Sequence, residues 1–422
     1  MRTLNRRQAL GMLAAGAAAM PFMGHAATTT DPSKATLKLV PTQPNTSGFA
    51  ASTAEQKLNI VSLDRLEALA KEKMSKATWA FVSGGKEDEW TLRENRRAFS
   101  DYRLDTRRLQ GINTNIDTRT RILGTNLPFP IIVAPMGIHR MVHDRGELDT
   151  AQGAGLAGTL YTSSAASNYT LEDIAKSTTG GKWWQLYMNN DMKVNESVLR
   201  RAKAAGYTAI VFTADSLGPG TSDDFVTLGG RSAFRSDMAF ANYDPAFGGF
   251  GTFTDQKLGI DFKDIAIIKR LSGLPVIVKG IMRADDAERA IAAGADAIQV
   301  SNHGGRTIDG VPASISVLPR IARQVNKRVP IILDSGVRRG TDVVRALAMG
   351  ADVVAIGRPC LYGLSLGGAQ GVQSVLEHLH KEMVNVMKLV GVDKLSAINA
   401  SLIDIVGENA QLNVPRSKSK RG

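Results

Sequence analysis

The chain has 422 residues, of which 43% are hydrophobic and 22% are charged, a composition typical of globular proteins. The formal net charge of +12 is concentrated at the two ends, because residues 1–26 contribute +3 and residues 416–422 contribute +4. No basic block with interleaved aromatic residues occurs between those ends, which argues against nucleic-acid binding. The single cysteine, Cys360, excludes an internal disulfide framework and a multi-cysteine metal site, and we predict no metal centre.

The first residues predict an export signal. Arg6 and Arg7 precede a weakly hydrophobic, Ala/Gly-rich run that ends in small residues near Ala26, a pattern typical of a twin-arginine signal. The run is too short to span a bilayer, so we expect an exported, periplasmic-type location and no transmembrane segment. We assign residues 1–27 to the signal, residues 28–57 to a flexible tether rich in Thr, Ser, Pro and Ala, and residues 407–422 to a basic disordered tail.

Residues 58–406 predict one domain in which strands and helices alternate. Residues 58–100 form a helical preface that contains the amphipathic stretch "LDRLEALAKEKM". From residue 130 onward, short runs rich in Val and Ile alternate with helix-length segments, as expected for buried parallel strands. The eight runs are 130–137, 159–164, 182–188, 209–215, 274–280, 297–303, 329–335 and 352–359. Eight such repeats predict a (β/α)8 TIM barrel.

A doubly wound open sheet is the alternative fold. It normally carries a G-x-G-x-x-G turn after its first strand, and "APMGIHRMVHDRG" does not contain one. The barrel prediction also leaves a long connection after the fourth strand, residues 216–262, rich in Gly, Phe and Asp. A connection of that length is typical of an active-site lid.

Polar and charged residues stand at the ends of seven of the predicted strands. Burying them unpaired would cost a few kcal/mol each, so stability alone does not explain them. Active sites of barrels lie at the carboxyl ends of the strands. The residues at these ends are Ser164, Gln185, Tyr187, Thr213, Asp215, Lys279, Ser301, His303, Asp334 and Arg358. The stretch "SNHGGRTIDG" is expected to place His303 and Arg306 at the barrel mouth.

The last two repeats predict a phosphate site. "DSGVRRG" leads from the seventh strand into a helix, and "GRP" follows the eighth strand. Barrels commonly bind phosphate in these two loops, where the N–H groups of helix N-termini are free. Gly336 and Gly357 allow close approach of the backbone, and Arg338 and Arg358 add charged donors.

These motifs resemble the family of FMN-dependent 2-hydroxy acid oxidases and dehydrogenases. The resemblance rests on "WWQLYM", "FTADS", "PVIVKG", "SNHGGRTIDG" and "LDSGVRRGTDVVRALAMGADVVAIGRP", in order over residues 58–400. It implies a TIM barrel, a bound FMN and a homotetramer. It also implies that the cofactor contacts Pro135, Met136, Gly137, Ser164, Gln185, Thr213, Lys279, Ser301, Asp334, Ser335, Gly336, Arg338, Gly357 and Arg358.

Oxidation of a 2-hydroxy acid removes a proton from the hydroxyl group and a hydride equivalent from the α-carbon. A neutral imidazole suits the proton transfer near pH 7, so His303 is the predicted base. The resemblance implies that Asp215 pairs with His303, that Lys279 lies beside the pyrimidine edge of the flavin and that Tyr187 binds the substrate oxygen. Arg306 is expected to hold the substrate carboxylate.

Three positions depart from the family pattern. Phe81 stands where members have a substrate-binding tyrosine, Ser222 where they have a second arginine, and Ala166 where they have an aromatic residue. The lost hydroxyl and guanidinium groups would each remove a bond of about 1.5–3 kcal/mol. We therefore expect Phe81 to line an altered substrate pocket that takes a lactate-like or bulkier acid. Arg231 and Arg235 of the long loop are available to replace the missing arginine.

Two other functions remain open at this point. The first is a different FMN-barrel chemistry, such as isomerisation of a phosphorylated substrate, against which the combination of His303, Arg306 and Asp215 argues. The second is a non-redox protein that retains flavin or phosphate only for binding. The electron acceptor is open as well: it is either O2 or a respiratory carrier such as a quinone or a cytochrome.

Overall fold

Three short helices precede the barrel, as predicted. The computed structural model describes residues 51–112, 115–218, 220–230, 240–242 and 255–406. The helices are α1 (Leu63–Lys73), α2 (Lys76–Ser83) and α3 (Trp90–Arg97). Ser62 and Ser75 cap the first two helices, because their side chains accept the backbone N–H groups of Arg65 and Thr78.

Three strands lie between the preface and the barrel. They are β1 (Tyr102–Leu104), β2 (Thr120–Ile122) and β3 (Thr125–Leu127). Strands β2 and β3 form an antiparallel hairpin. Ile122 and Leu127 of this hairpin are buried in one cluster with Ile132, Trp183 and Val211 of the barrel interior. The hairpin therefore covers one end of the barrel with apolar side chains.

Eight parallel strands close into a barrel, and each predicted run contains one of them. The strands are β4 (Ile131–Val133), β5 (Tyr161–Ser164), β6 (Lys182–Leu186), β7 (Ile210–Thr213), β8 (Val276–Lys279), β9 (Ala297–Val300), β10 (Ile331–Leu333) and β11 (Val353–Ile356). They follow one another around the barrel in chain order, and β11 pairs with β4 to close it. Every residue of these strands except Lys182 is buried, which explains their continuous Val/Ile content. The predicted fold is confirmed.

Helices surround the barrel. They are α4 (Gly146–Leu156), α5 (Leu171–Lys176), α6 (Met192–Ala204), α7 (Asp223–Thr227), α8 (Lys263–Ser272), α9 (Ala284–Ala292), α10 (Ser314–Val325), α11 (Gly340–Ala348) and α12 (Arg358–Val390). Helix α12 is broken at Gly367 and Gly368, where the backbone leaves the helical region. A final strand, β12 (Ile403–Ile405), pairs with β1. Within the described ranges, no helix is both long and apolar enough to cross a membrane.

Residues 51–58, here called the N-terminal strap, are hydrogen-bonded to the barrel domain. The Ser52 N–H donates to the carbonyl of Val142 at 3.0 Å. The Glu55 carboxylate accepts the N–H groups of Ala369 and Gln370, at 3.1 and 3.0 Å, where α12 resumes after its break. The last residues of the predicted tether, 51–57, are therefore bonded to the barrel domain, through the Ser52 backbone and the Glu55 carboxylate. Residues 28–50 lie outside the described part of the chain.

The long connection after β7 is described only in part. Helix α7 and residues 255–262 are described, whereas residues 231–239 and 243–254 are not. The candidate arginines of the predicted lid, Arg231 and Arg235, lie outside the described residues.

Candidate active site

An open cavity lies at the carboxyl ends of the barrel strands. Most of the predicted site residues line it: Phe81, Pro135, Met136, Gly137, Ser164, Tyr187, Lys279, His303, Arg306, Asp334, Ser335, Gly336, Arg338, Gly357 and Arg358. The other four, Gln185, Thr213, Asp215 and Ser301, are not among the lining residues. The barrel thus brings together side chains from all of its strand ends.

Sequence reasoning missed part of the cavity wall. Ser216, Thr221 and Phe225 line it from the segment after β7, and Leu361 lines it from α12. The only sequence signal for the first three was the length of their loop, which predicted a lid without naming contact residues. Apolar wall residues such as Leu361 carry no sequence signal that separates them from the core.

The loops after β10 and β11 form the polar end of the cavity. The Nε of Arg338 is buried and has no hydrogen-bond partner among the described residues. Gly336 adopts φ +98°, and a Cβ at this position would collide with the backbone of Asn95. Gly357 caps α12 and lines the cavity, so the start of that helix, where the Cys360 N–H donates to the Gly357 carbonyl at 2.9 Å, lies at the same end. An unpaired guanidinium N–H beside a glycine turn and a helix N-terminus is the donor set that a phosphate monoester requires.

A hydrogen-bond chain orients Ser164 on the opposite wall. The Ser164 Oγ donates to the Gln185 Oε1 at 2.9 Å, and the Gln185 Nε2 donates to the Thr213 Oγ1 at 2.9 Å. All three residues are buried. Gln185 and Thr213, predicted as cofactor contacts, thus fix the side chain of Ser164, and their contact with the cofactor stays a prediction.

Asp334 accepts several hydrogen bonds beneath the loop that follows β9. Its carboxylate accepts bonds from the Gln299 Nε2, the Ser301 Oγ and the Ser335 Oγ, at 2.6, 2.6 and 2.7 Å. The two serines in turn accept backbone N–H groups, Ser301 that of His303 and Ser335 that of Gly304, each at 3.0 Å. The predicted cofactor residues Ser301, Asp334 and Ser335 thus hold the loop that carries the histidine.

His303 points one ring nitrogen at Asp215 and leaves the other for the cavity. The distance from His303 Nδ1 to Asp215 Oδ1 is 3.0 Å, and Lys279 Nζ lies 3.5 Å from the same nitrogen. Because an ionised carboxylate only accepts, Nδ1 carries the hydrogen atom and Nε2 of the neutral ring is a free base. These three side chains leave β7, β8 and β9, which are neighbours in the barrel.

The charges around this pair set its ionisation. Burial and the Lys279 ammonium lower the pKa of His303 below its usual 6.5, although Asp215 opposes them. Burial alone would raise the pKa of Asp215, but the charges of Lys279 and His303 outweigh it and keep this carboxyl ionised. The imidazole is therefore neutral at pH 7 and stands beside an anion that stabilises its protonated form.

The end of α2 holds two arginines. The Arg306 Nη1 donates to the carbonyls of Phe81 and Gly84, at 2.7 and 3.0 Å. Arg358 donates to the carbonyls of Val82, Gly84 and Gly304, at distances of 2.8 to 3.0 Å. Burial and the charge of Arg358 lower the pKa of Arg306 to about 9, so it remains cationic at neutral pH. The carbonyl end of a helix offsets the charge of both groups.

Phe81 also contacts Arg306 through its ring. The Arg306 Cζ lies 5.1 Å from the ring centroid of Phe81, which in turn lies 5.2 Å from that of Phe225. Both hydrogen bonds that join Arg306 to α2 come from its Nη1. Phe81 therefore stabilises the arginine by a cation–π contact and by its carbonyl, with no hydroxyl to offer a ligand.

The other two positions that depart from the expected family pattern, Ala166 and Ser222, differ in whether they line the cavity. Ala166 lines the cavity, as expected of a substrate-pocket position. Ser222 does not: its Oγ donates to the Ala80 carbonyl at 3.0 Å and caps α7 by accepting the Phe225 N–H. Ser222 also packs closely on the end of α2, because a Cβ on Gly84 would collide with its side chain.

The geometry agrees with what is known of similar proteins. A family profile described as FMN-dependent dehydrogenase matches residues 70–405. The chain belongs to this family. L-lactate oxidase of Lentilactobacillus hilgardii is 44% identical over 369 residues, covering 85% of this chain and 98% of that protein. In this FMN-dependent dehydrogenase, the polar donor set after β10 and β11 fits the phosphate of FMN, and the predicted cofactor is confirmed.

Solved structures agree with this family assignment. The lactate oxidase of Pediococcus acidilactici aligns with a TM-score of 0.80 at 41% identity, covering 85% of this chain and 98% of that one. A mandelate oxidase aligns with a TM-score of 0.76 at 34% identity, covering 82% of this chain and 98% of that one. The lactate oxidase and the mandelate oxidase thus share this barrel, although their names refer to hydroxy acids with quite different side chains.

Arg338→Gln should weaken FMN binding by about tenfold or more, because it removes a charge-assisted bond to the phosphate of about 1.5–3 kcal/mol. The measurement is the flavin-to-protein ratio after dialysis, with the dissociation constant from flavin fluorescence. Arg339→Gln is the matched control, since Arg339 pairs with Glu382 at 2.9 Å and is half-exposed. Equal loss of FMN in both variants would contradict the assignment of Arg338.

Proposed function

We propose that this flavoenzyme oxidises a 2-hydroxy acid to the corresponding 2-oxo acid, with His303 as the base. The observation that carries the proposal is the orientation of His303, whose Nδ1 faces Asp215 while Nε2 is left to a cavity shared with Arg306 and Tyr187. The names of the relatives, L-lactate oxidase and 2-hydroxyacid oxidase among them, support this substrate class.

His303 removes the hydroxyl proton in this proposal. Its lowered pKa keeps Nε2 unprotonated at neutral pH, and Asp215 stabilises the imidazolium as the proton arrives. FMN, when bound, accepts the hydride equivalent of the α-carbon. The Lys279 ammonium, which is buried beside the same histidine, offsets negative charge on this side of the cavity.

Arg306 and Tyr187 orient the substrate. The Nε and Nη2 of Arg306 form two adjacent donors that suit the substrate carboxylate. Burial raises the pKa of Tyr187, so its hydroxyl stays protonated and is able to donate to a substrate oxygen. The cation–π contact with Phe81 fixes the guanidinium before substrate arrives, which reduces the entropy lost on binding.

We further propose that O2 is the electron acceptor and that the enzyme is a homotetramer. The oxidase names of the relatives support O2 over a quinone or cytochrome. Formation of one hydrogen peroxide per acid oxidised would establish the acceptor, and sedimentation equilibrium would give the number of subunits. Peroxide yields far below one, with rapid reduction of an added quinone, would favour the respiratory carrier.

His303→Gln should abolish flavin reduction by substrate while the bound FMN spectrum stays nearly unchanged. Glutamine keeps a polar side chain but has no basic nitrogen, so about 100-fold or more of the rate should be lost. The measurement is anaerobic bleaching of the flavin absorbance by a panel of 2-hydroxy acids, from glycolate and lactate to mandelate. Bleaching of the unmodified enzyme by none of these acids, or wild-type rates in the variant, would contradict the proposed function.

Asp215→Asn should move the acid limb of the pH profile to lower pH and lower the plateau rate. Asp215 raises the pKa of His303, so its removal lowers that pKa further, and the base stays neutral in more acidic solution. The plateau falls because the imidazolium that forms loses its counter-ion. Stopped-flow flavin reduction between pH 4 and 9 measures both effects, and a limb that moves upward would contradict the role of Asp215.

We also propose export by the twin-arginine route, which carries folded, cofactor-loaded proteins. The support is the sequence around Arg6 and Arg7. Arg6→Lys combined with Arg7→Lys should leave a precursor in the cytoplasm that still binds flavin. Cell fractionation with flavin absorbance measures this, and normal export of the double variant would rule out the proposed signal.

A further inference from the structure

The turn that carries the proposed base has an unusual backbone. His303, Gly304 and Gly305 all adopt left-handed conformations, with φ of +59°, +67° and +74°. Glycine tolerates this region, but a histidine there is strained and persists only where its surroundings hold it. The residues from Asn302 to Arg306 are called the catalytic turn below.

Each of the three left-handed residues donates its backbone N–H to a side chain. The His303 N–H donates to the Ser301 Oγ at 3.0 Å and the Gly304 N–H to the Ser335 Oγ at 3.0 Å. The Gly305 N–H donates both to the Asn302 Oδ1 at 3.2 Å and to the Asn302 backbone carbonyl at 3.0 Å. Each strained residue thus donates to a side-chain acceptor, and at Gly305 a backbone carbonyl shares the N–H.

These acceptors are oriented from two different parts of the fold. Ser301 and Ser335 donate to Asp334, which belongs to the barrel itself. Asn302 is oriented from outside the barrel, by Asn95 of the preface helix α3. The two amides form a reciprocal pair, in which Asn95 Nδ2 donates to Asn302 Oδ1 at 2.8 Å and Asn302 Nδ2 donates to Asn95 Oδ1 at 2.7 Å.

The pair is well shielded from solvent. Asn95 is 1% exposed and Asn302 is 3% exposed. Because no bulk water competes, the donor from Asn95 decides which way the Asn302 amide points, and therefore whether its oxygen faces the Gly305 N–H. A second donor, from Asn302 Nδ2 to the Pro312 carbonyl at 3.1 Å, fits the same orientation.

We infer that Asn95 is a positioning residue for the proposed base: its side chain orients Asn302 and thereby holds His303 in the conformation that aims Nε2 into the cavity. The inference rests on the proposed function in which His303 is the base. Asn95 itself does not line the cavity, so it contacts neither substrate nor flavin in this assignment and acts only through Asn302.

The same helix offers a matched control. The Thr91 Oγ1 donates to the Val311 carbonyl at 3.2 Å and accepts the Val311 N–H at 3.1 Å. This pair also joins α3 to the loop after β9, with Thr91 buried and Val311 half-buried, but Val311 lies beyond the catalytic turn. Thr91→Val therefore removes two hydrogen bonds between the same two elements without touching Asn302.

The experiment compares Asn95→Ala, Asn95→Asp and Thr91→Val in the full-length holoenzyme. Asn95→Ala should retain FMN, because the phosphate turn packs on the backbone rather than the side chain of Asn95. Its kcat for flavin reduction by the best acid of the panel should fall about 10- to 100-fold, since a displaced base misses the near-attack geometry. The KM should change little, because Arg306 keeps its partners on α2.

The second readout needs no turnover. Selective labelling of the six histidines allows the pKa of the His303 imidazole to be followed by NMR, with His303→Gln identifying its signal. The charged groups that face His303 are Asp215, Lys279 and Arg306, and burial is the main cause that lowers its pKa. A loosened turn admits water, so the pKa in Asn95→Ala should rise toward 6.5, whereas Thr91→Val should leave it unchanged.

Two results would overturn the inference: an unchanged pKa of His303 in Asn95→Ala, or the same rate loss in Thr91→Val as in Asn95→Ala. If Asn95→Ala does not fold, Asn95→Asp decides, since it still accepts from Asn302 but does not donate to it. A failure of the proposed function gives a different result from a failure of this inference. In the first case His303→Gln would retain flavin reduction by substrate, and the NMR comparison of the Asn95 variants would still show whether Asn95 positions His303.

Discussion

The contact between His303 and Asp215 is the interaction around which the site is built. It requires residues that follow β7 and β9 to meet over the residue that ends β8, Lys279. Neighbouring strands lie about 4.8 Å apart, so three consecutive strand ends are within reach of each other only because the sheet is continuous at this point. The barrel register, in which Thr213 pairs with Lys279 and Lys279 with Gln299, therefore sets the distance between acid and base.

His303, which makes that contact, has a strained left-handed backbone, and so have two other residues around the cavity. Three non-glycine residues that line it have left-handed backbones: Ile138 after β4, His303 after β9 and Ser335 after β10. Each sits where a strand must turn sharply and still present groups to the cavity. Asp334 holds two of these turns through its bonds to Ser301 and Ser335. The rigid barrel thus stabilises conformations that the local sequence disfavours.

The preface helices complete the site from outside the barrel. The carbonyl end of α2 holds Arg306 and Arg358, two half-buried cations that repel each other. Without those carbonyls the guanidinium groups would lack acceptors in a partly desolvated environment, which is unfavourable for a charge. A phenylalanine at position 81, where the resemblance to the family implies a tyrosine, is compatible with this role, since its backbone carbonyl and ring face both contact Arg306.

The sequence alone determined the barrel, the polar strand ends and the phosphate turn. These depend on local signals: continuous Val/Ile runs for strands buried on both faces, and glycines where a helix N-terminus approaches an anion. Tertiary structure decided how the polar strand-end residues are bonded to one another: Gln185 links Ser164 to Thr213, and Ser301 accepts the His303 N–H. It also decided that Ser222 caps α7 and that Asn95 pairs with Asn302, 207 residues away. Two residues that far apart in the chain become hydrogen-bond partners only when the barrel closes and the helix docks on it. A local sequence pattern therefore does not predict the pair.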